Sequence, residues 1–184
     1  MKRIDFKSFI GVWSLIFCCL PVTLFADIHE IRKSFHSALL NEENIETFHS
    51  LMDSNVDTEP TIVAYQAVSK ALMAQKVWNP IDKYIYIKNF HSLMDKALKE
   101  DSLNLEIRFL RFSVEYHIPP WLGYSEHLEE DIKFININSY KVSQLMFDDN
   151  YIRYISYFIR HTNLFTKEEL IVILNNLENS PADS

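Results

Sequence analysis

Residues 90–111, FHSLMDKALKEDSLNLEIRFLR, decide the fold class of this chain. Their apolar side chains recur every three or four residues, which is the period of an α-helix that buries one face. The pattern is interrupted once, at Asp101-Ser102, where we expect a short turn with Ser102 capping the next helix. That helix should run from Leu103 to about Tyr116. The stretch therefore predicts two helices joined by a tight turn.

The scarcity of glycine extends this prediction to the whole chain. Only Gly11 and Gly123 are present, whereas a typical protein contains about 7% glycine. Tight turns between strands and loops that cradle phosphates both depend on glycine. We therefore expect an all-α protein, either a helical bundle or a short solenoid of antiparallel helix pairs. The remaining helices are expected at about 27–40, 42–52, 60–78, 80–100, 126–136, 148–160 and 167–177.

The first 26 residues have the layout of a secretory signal peptide. Lys2, Arg3 and Lys7 precede an apolar run over residues 9–20, and a small residue, Ala26, stands before a polar segment. The run is shorter than the roughly 20 residues that span a bilayer. The expected organisation is a signal peptide at 1–26, a single helical domain at 27–178 and a frayed tail at 179–184.

Export fixes the expected location of the mature protein, which is the periplasm or the exterior of a bacterium. Once the signal is removed, no stable membrane span is expected. The alternative is a membrane anchor formed by an uncleaved N-terminal segment, because Leu24 occupies a position where signal peptidases prefer a small residue. Lipidation at Cys18 or Cys19 is another alternative, although Phe17 and Cys18 stand where lipidation sites place a small residue.

Charge and cysteine content exclude several classes of function. The formal net charge is −7, and removing the basic N-terminal segment makes the remaining chain more acidic. Such a surface repels phosphate backbones, so we expect no nucleic-acid partner. Both cysteines, Cys18 and Cys19, lie in the signal segment, so the mature chain is expected to have no disulfide and no thiolate metal site.

One hexapeptide occurs twice in the chain. FHSLMD is found at residues 48–53 and again at 90–95. A period of this size suits stacked helix pairs. The alternative is coincidence between two amphipathic helices of similar composition.

Two resemblances point towards the same architecture. Residues 90–111 resemble the junction between adjacent tetratricopeptide repeats, although Ser102 replaces the usual proline and the signature of the first helix is absent. The resemblance implies tetratricopeptide-like helix pairs and supplies no ligand residues. Residues 104–111, together with Pro120 and residues 122–124, are similar to uncharacterised exported proteins of Bacteroidetes. That resemblance spans about 31–134 and implies lineage and an all-helical fold without an activity.

Two arginines lie on a helix that should be largely buried. Apolar residues surround the predicted helix 103–116 on nearly all sides, whereas Arg108, Arg111 and Glu115 share one face. Because an unpaired buried charge is costly, these arginines need partners. One interpretation is a salt-bridge network with acidic residues of neighbouring helices, in which Arg111 can also pair with Glu115 on its own helix. The other is a cleft that binds an anion or a peptide carboxylate beside Trp121 and Tyr124.

Other ionisable groups favour structural interpretations. His49 and Asp53 are four residues apart, as are His91 and Asp95, and such pairs are common on solvated helix faces. Neither pair has a third ligand nearby, so we expect no metal. The acidic cluster 126–131 is interpreted as an exposed first helical turn that favours the helix dipole. The alternative for this cluster is acid–base chemistry or cation binding.

The expected function is a non-enzymatic module of the bacterial envelope that binds a protein or peptide. Exposed aromatic side chains would serve that function best, and Trp78, Trp121 and Tyr124 are the candidates. We expect no catalytic residue and no cofactor. The alternative is a small-ligand or enzymatic site around Arg108, Arg111, Trp121 and the cluster 126–131. An aromatic stripe is expected in the core: Tyr151, Tyr154, Tyr157 and Phe158.

Overall fold

The computed structural model describes residues 27–119, 125–144 and 149–178. Within these ranges the chain forms eight α-helices and no strand, which confirms the all-α prediction. The α-helices are α1 Ile28–Leu40, α2 Ile45–Ser54, α3 Pro60–Lys76, α4 Pro80–Glu100, α5 Leu105–Glu115, α6 Leu128–Asn138, α7 Asp149–His161 and α8 Lys167–Glu178. Short 3₁₀ segments at Glu42–Asn44 and Ser139–Gln144 precede α2 and follow α6. The predicted signal peptide and frayed tail lie outside the described residues.

The start of α5 differs from the sequence prediction. Asn104, and not Ser102, caps this helix, because its Oδ1 accepts hydrogen bonds from the backbone N–H groups of Glu106 at 3.0 Å and Ile107 at 3.2 Å. Asn104 is itself held by Asp101, whose carboxylate accepts from the Asn104 amide at 3.0 Å. Leu103 therefore precedes the helix and is 67% exposed. A single asparagine that satisfies two helix donors is the stronger cap.

Other helix starts follow the predicted capping chemistry. Asn79 Oδ1 accepts from the backbone N–H of Ile81 at 3.0 Å at the start of α4. At α8, Thr166 and Glu169 form the predicted reciprocal capping box, with distances of 2.8 and 3.2 Å. These local signals fix where the chain enters two of its helices.

Most consecutive helices pack against each other, and α3 packs against α1, α2, α4 and α5. The connection at 77–79 is short, so α4 turns back along α3, the most extensive pairing among the described helices. Small residues on α3, including Ala64 and Ala67, are fully buried and allow close approach of its neighbours. α7 also packs against α1. The first and penultimate helices therefore meet across the core.

The aromatic stripe of α7 is only partly in the core. Tyr151 and Phe158 are buried and Tyr154 packs against the core, as predicted. Tyr157 is 63% exposed, so its assignment to the core was wrong. At 100° per residue, Tyr157 points about 120° away from Tyr151 and falls outside the buried face.

No helix among the described residues is long and apolar enough to cross a membrane.

Candidate functional site

A cleft of about 630 Å³ opens between α1, α3 and α5. This volume falls in the range of about 300–1,000 Å³ that is typical of ligand pockets. Most of its lining is apolar, and α4 and α7 also contribute residues to it. Representative lining residues are Phe35 and Leu39 from α1, Val68 and Leu72 from α3, Ile87 from α4 and Val114 from α5. The cleft can therefore bury apolar groups of a partner.

Polar groups line part of the same cleft. Glu42, Gln75 and Lys83 are exposed side chains that lie along it. They give the cleft one acidic, one basic and one amide group with which to bind polar atoms of an occupant.

Two further polar groups line the cleft, His117 just after α5 and Tyr154 on α7. His117 Nδ1 lies 2.8 Å from the Ser113 carbonyl oxygen; because a carbonyl only accepts, this nitrogen carries the proton and donates. Burial raises the pKa of Tyr154 to about 12, although its hydrogen bond with Ser113 opposes the shift. The Tyr154 hydroxyl is therefore neutral at physiological pH.

Arg108 and Arg111, the two arginines predicted on α5, face the start of α6. Arg111 donates two hydrogen bonds to Asp131, from Nε to Oδ2 and from Nη2 to Oδ1, both 2.7 Å long. Arg108 Nη1 donates to Asp131 Oδ1 at 3.0 Å and also contacts Glu130. Asp131 is fully buried, and the hydrogen bond from Arg108 lowers the pKa of Glu130. Both arginines are thus engaged by carboxylates of a neighbouring helix.

The predicted Arg111–Glu115 pair is replaced by another arrangement. Glu115 accepts from the backbone N–H of His127 at 3.0 Å and lies 3.0 Å from His127 Nδ1. Burial raises the pKa of Glu115, and the bonds from His127 oppose that rise. Arg111 reaches α6 because that helix packs directly against α5, which makes the tertiary partner Asp131 available.

The interpretation of cluster 126–131 as a wholly exposed helical turn was wrong at one position. Glu126, Glu129 and Glu130 are exposed, but Asp131 is buried beneath the two arginines. Asp131 and the exposed Glu130 thus pair with the two arginines, while Glu126 and Glu129 face solvent.

A second buried ion pair went unrecognised in the sequence. Arg32 binds Glu106 through Nε to Oε1 at 2.8 Å and Nη2 to Oε2 at 2.7 Å. The Tyr65 hydroxyl donates to Glu106 Oε1 at 2.7 Å and shares a 2.9 Å hydrogen bond with the Tyr151 hydroxyl. These residues come from α1, α5, α3 and α7, so the network ties four helices together. The signal for this network in the sequence was Glu106, an acidic residue on a helix that is apolar on nearly all sides.

The environment sets the charge states in this network. Burial alone would lower the pKa of Arg32, but the hydrogen bonds and the charge of Glu106 outweigh it and raise that pKa. Burial, reinforced by the charge of Glu106, raises the pKa of Tyr65 and of Tyr151 well above the usual value. The two tyrosines stay neutral and act as hydrogen-bonding groups. The network is enclosed, so its role is structural.

Of the three predicted aromatic candidates, one lies within the described residues. Trp78 lies in the α3–α4 connection and is 96% exposed, as a surface aromatic should be. Trp121 and Tyr124 fall outside the described residues. The structure brings Arg108 and Arg111 together on the α5–α6 face.

The histidines of both predicted histidine–aspartate pairs are partly buried. His49 Nε2 lies 3.5 Å from Asp53 Oδ2, and Lys70 contacts the same carboxylate. The His49 side chain is only 16% exposed, so it is less solvated than predicted, and burial lowers its pKa. Burial also lowers the pKa of His91. No group of histidine and acidic side chains in the described ranges is arranged to hold a metal ion.

The chain matches no known family model, no curated protein and no solved structure.

Proposed function

We propose that this protein is a non-enzymatic interaction module of the bacterial envelope that binds an apolar peptide segment of a partner protein. The observation that carries this proposal is the cleft between α1, α3 and α5. Its volume and apolar lining suit a few consecutive side chains of a peptide. Helix grooves commonly recognise peptides through such apolar anchors.

The polar groups along the cleft favour a peptide over a purely apolar ligand. Peptide bonds carry donors and acceptors that must be satisfied once they leave water. Gln75 offers both kinds of group, Glu42 accepts and Lys83 donates. An apolar lining with these side chains beside it therefore suits a peptide that inserts apolar side chains and keeps its backbone near the polar groups.

The wider setting belongs to the same proposal. We propose that residues 1–26 direct export and are removed, which places the mature chain in the periplasm or outside the cell. We also propose that its helices are related to tetratricopeptide-like pairs. The supports are the N-terminal pattern, the repeated hexapeptide at 48–53 and 90–95, and the resemblance at 90–111.

The alternative was a small-ligand or enzymatic site at Arg108, Arg111, Trp121 and the cluster 126–131. The pairing of both arginines with Glu130 and Asp131 favours the interaction module, because a bound anion would have to displace carboxylates already in place. Arg108→Ala separates the two: loss of binding to a small anion in a protein that stays folded would favour the alternative.

Selection from a random peptide library displayed on phage, with the full chain as bait, tests the cleft. Leu39→Glu places a charge in its apolar lining, and Gln75→Trp obstructs it from an exposed position. Ile137→Glu is the matched control, since Ile137 lies on α6 away from the cleft and is 72% exposed. Selected peptides should be apolar and should bind both cleft variants at least about tenfold more weakly, as expected when a buried anchor is lost.

Equal binding of the selected peptides to the wild type and to both cleft variants would contradict the proposal. Circular dichroism of each variant shows that any loss of binding comes from a folded protein.

A further inference from the structure

The beginning of α4 exposes apolar side chains on one face. Trp78 is 96% exposed just before the helix, and Ile81 and Ile85 are 67% and 48% exposed one turn apart. Tyr84 lies beside them and is 53% exposed. We call these four residues the α4 tip. A cluster of exposed large apolar residues on a soluble surface marks a place of interaction.

The α4 tip faces away from the peptide cleft. Lys83 and Ile87 line that cleft, whereas Ile81 and Ile85 lie about 160° round the helix from Lys83 and Ile87 respectively, at 100° per residue. The tip is therefore a separate surface, and its role does not depend on the proposed peptide-binding function.

The surroundings of the tip are basic although the chain is acidic. The formal net charge is −7, yet Lys76 ends α3 two residues before Trp78, and Lys88 follows about two turns along α4 from Ile81. Lys88 lies within about 20° of Ile81 around the helix axis. Asp82 is the acidic residue in the first turn of α4. An exposed apolar face with lysine at its border favours an anionic surface.

We propose that the α4 tip docks onto a membrane surface that contains anionic phospholipid. Tryptophan, tyrosine and isoleucine with flanking lysines are the residues of interfacial membrane-binding segments. A second copy of this chain is disfavoured as the occupant, because an isologous contact at the tip would bring its lysines close to the same lysines of the partner.

The spacing along α4 fits this docking. With a rise of about 1.5 Å per residue, Lys88 lies about 10 Å along the axis from Ile81. When α4 meets the membrane end-on, this axial distance is the difference in depth between the two residues at the boundary between headgroups and acyl chains. Ile81 and Trp78 therefore enter that boundary while Lys88 stays level with lipid phosphates, to which its flexible side chain can extend.

A single-tryptophan form of residues 27–184, the proposed mature chain, reports on the tip directly. Trp121→Phe leaves Trp78 as its one tryptophan. Vesicles made of equal parts phosphatidylglycerol and phosphatidylcholine should shift Trp78 emission to the blue, and lipids brominated in the acyl chain should quench it. Emission that stays unchanged while the protein co-sediments with the vesicles would overturn the proposal, since another segment would then be the one inserted.

Variants of the tip distinguish lipid from other occupants. In the same background, Ile81→Ser/Ile85→Ser should weaken partitioning onto the anionic vesicles about tenfold, and Lys88→Gln about fivefold. The control Ile137→Ser, which removes an equally exposed isoleucine from α6, should leave it unchanged. A blue shift that appears without lipid as protein concentration rises would identify a second copy as the occupant and overturn the proposal.

Discussion

At the scale of single residues, the pair of Arg32 and Glu106 is buried and links α1 to α5. Its charges lie in the core with Tyr65 and Tyr151 as hydrogen-bonding neighbours. Two charges taken out of water lose their hydration, and that loss is offset only when every lone pair and proton is satisfied. Two hydrogen bonds from Arg32 and one from the Tyr65 hydroxyl occupy both carboxylate oxygens of Glu106. Removal of one partner should therefore cost more than removal of both.

Arg32→Met should destabilise the protein by about 3–5 kcal/mol, because it leaves the Glu106 charge buried without its partner. The double variant Arg32→Met/Glu106→Leu should recover most of this loss, since neither charge is then buried. Urea denaturation followed by circular dichroism measures both. A double variant as unstable as the sum of the two single variants would contradict this account of the network.

The two arginines of α5 should differ in importance. Arg111→Ala removes both hydrogen bonds of the bidentate grip on Asp131 and should cost about 3–5 kcal/mol. Arg108→Ala should cost less, because Arg111 still neutralises Asp131 and Glu130 is exposed to water. The midpoints of urea unfolding rank the two variants. Equal losses would indicate that Arg108 carries the buried charge as much as Arg111 does.

Acidification should destabilise the folded protein through two histidines. Burial lowers the pKa of His49 and of His91, so the unfolded chain binds protons first as the pH falls through about 6.5. The loss of stability is complete once the pH is below the folded pKa values. His49→Gln/His91→Gln should therefore flatten the fall in unfolding free energy between about pH 7.5 and about pH 5.5.

The test of the two histidines needs a control substitution, and it must account for Glu115, whose effect on stability has the opposite pH dependence. His29→Gln, at an exposed position of α1, should leave the pH dependence as it is. The raised pKa of Glu115 acts in the other direction: its contribution to stability falls as the pH rises through its folded pKa, and is therefore larger in acid. A double histidine variant with an unchanged slope would show that these histidines do not set it.

The residue scale also shows where sequence reasoning succeeds. That Arg108 and Arg111 need carboxylate partners followed from their position on a helix that is apolar nearly all round. The partner could not be identified in the same way, because Asp131 lies 20 residues beyond Arg111 and meets it only once α6 packs on α5. The four-residue spacing pointed instead to Glu115, whose carboxylate is hydrogen-bonded to His127 in the structure.

At the scale of helices, local capping chemistry sets the starts of α3, α4, α5 and α8. The Asn79-Pro80 start of α4 and the capping box of α8 were both predictable, since each depends on residues within one helical turn. The start of α5 was predicted at the wrong residue because two polar residues, Ser102 and Asn104, compete to cap it. Asn104 is the cap because its side chain accepts from two backbone N–H groups of α5 and is itself held by a hydrogen bond to Asp101.

Thr166→Ala should destabilise the protein by about 1 kcal/mol, because the backbone N–H of Glu169 loses the acceptor Thr166 Oγ1. Thr166→Ser keeps that hydroxyl and should restore nearly full stability. Thermal unfolding followed by circular dichroism compares the two variants. Equal losses from alanine and serine would show that the threonine methyl group, and not the cap, provides the stabilisation.

At the scale of the whole molecule, the cleft arises from the way distant helices meet. Its lining runs from Phe35 to Tyr154, and α7 packs back against α1. Helical periodicity predicted the elements and their apolar faces. It could not predict which faces leave a space between them, because a cleft is a property of packing and not of any one helix.

Methyl-resolved NMR of the full chain, titrated with a peptide selected on phage, tests the central claim most directly. The account predicts shifts confined to methyl groups that line the cleft, such as those of Leu39, Leu72 and Ile87. Methyl groups of Ile137 and Ile171, which are exposed on α6 and α8, should stay in place. Shifts that cluster at Ile137 or Ile171 while the cleft methyl groups are unchanged would contradict the claim that the cleft is the binding site.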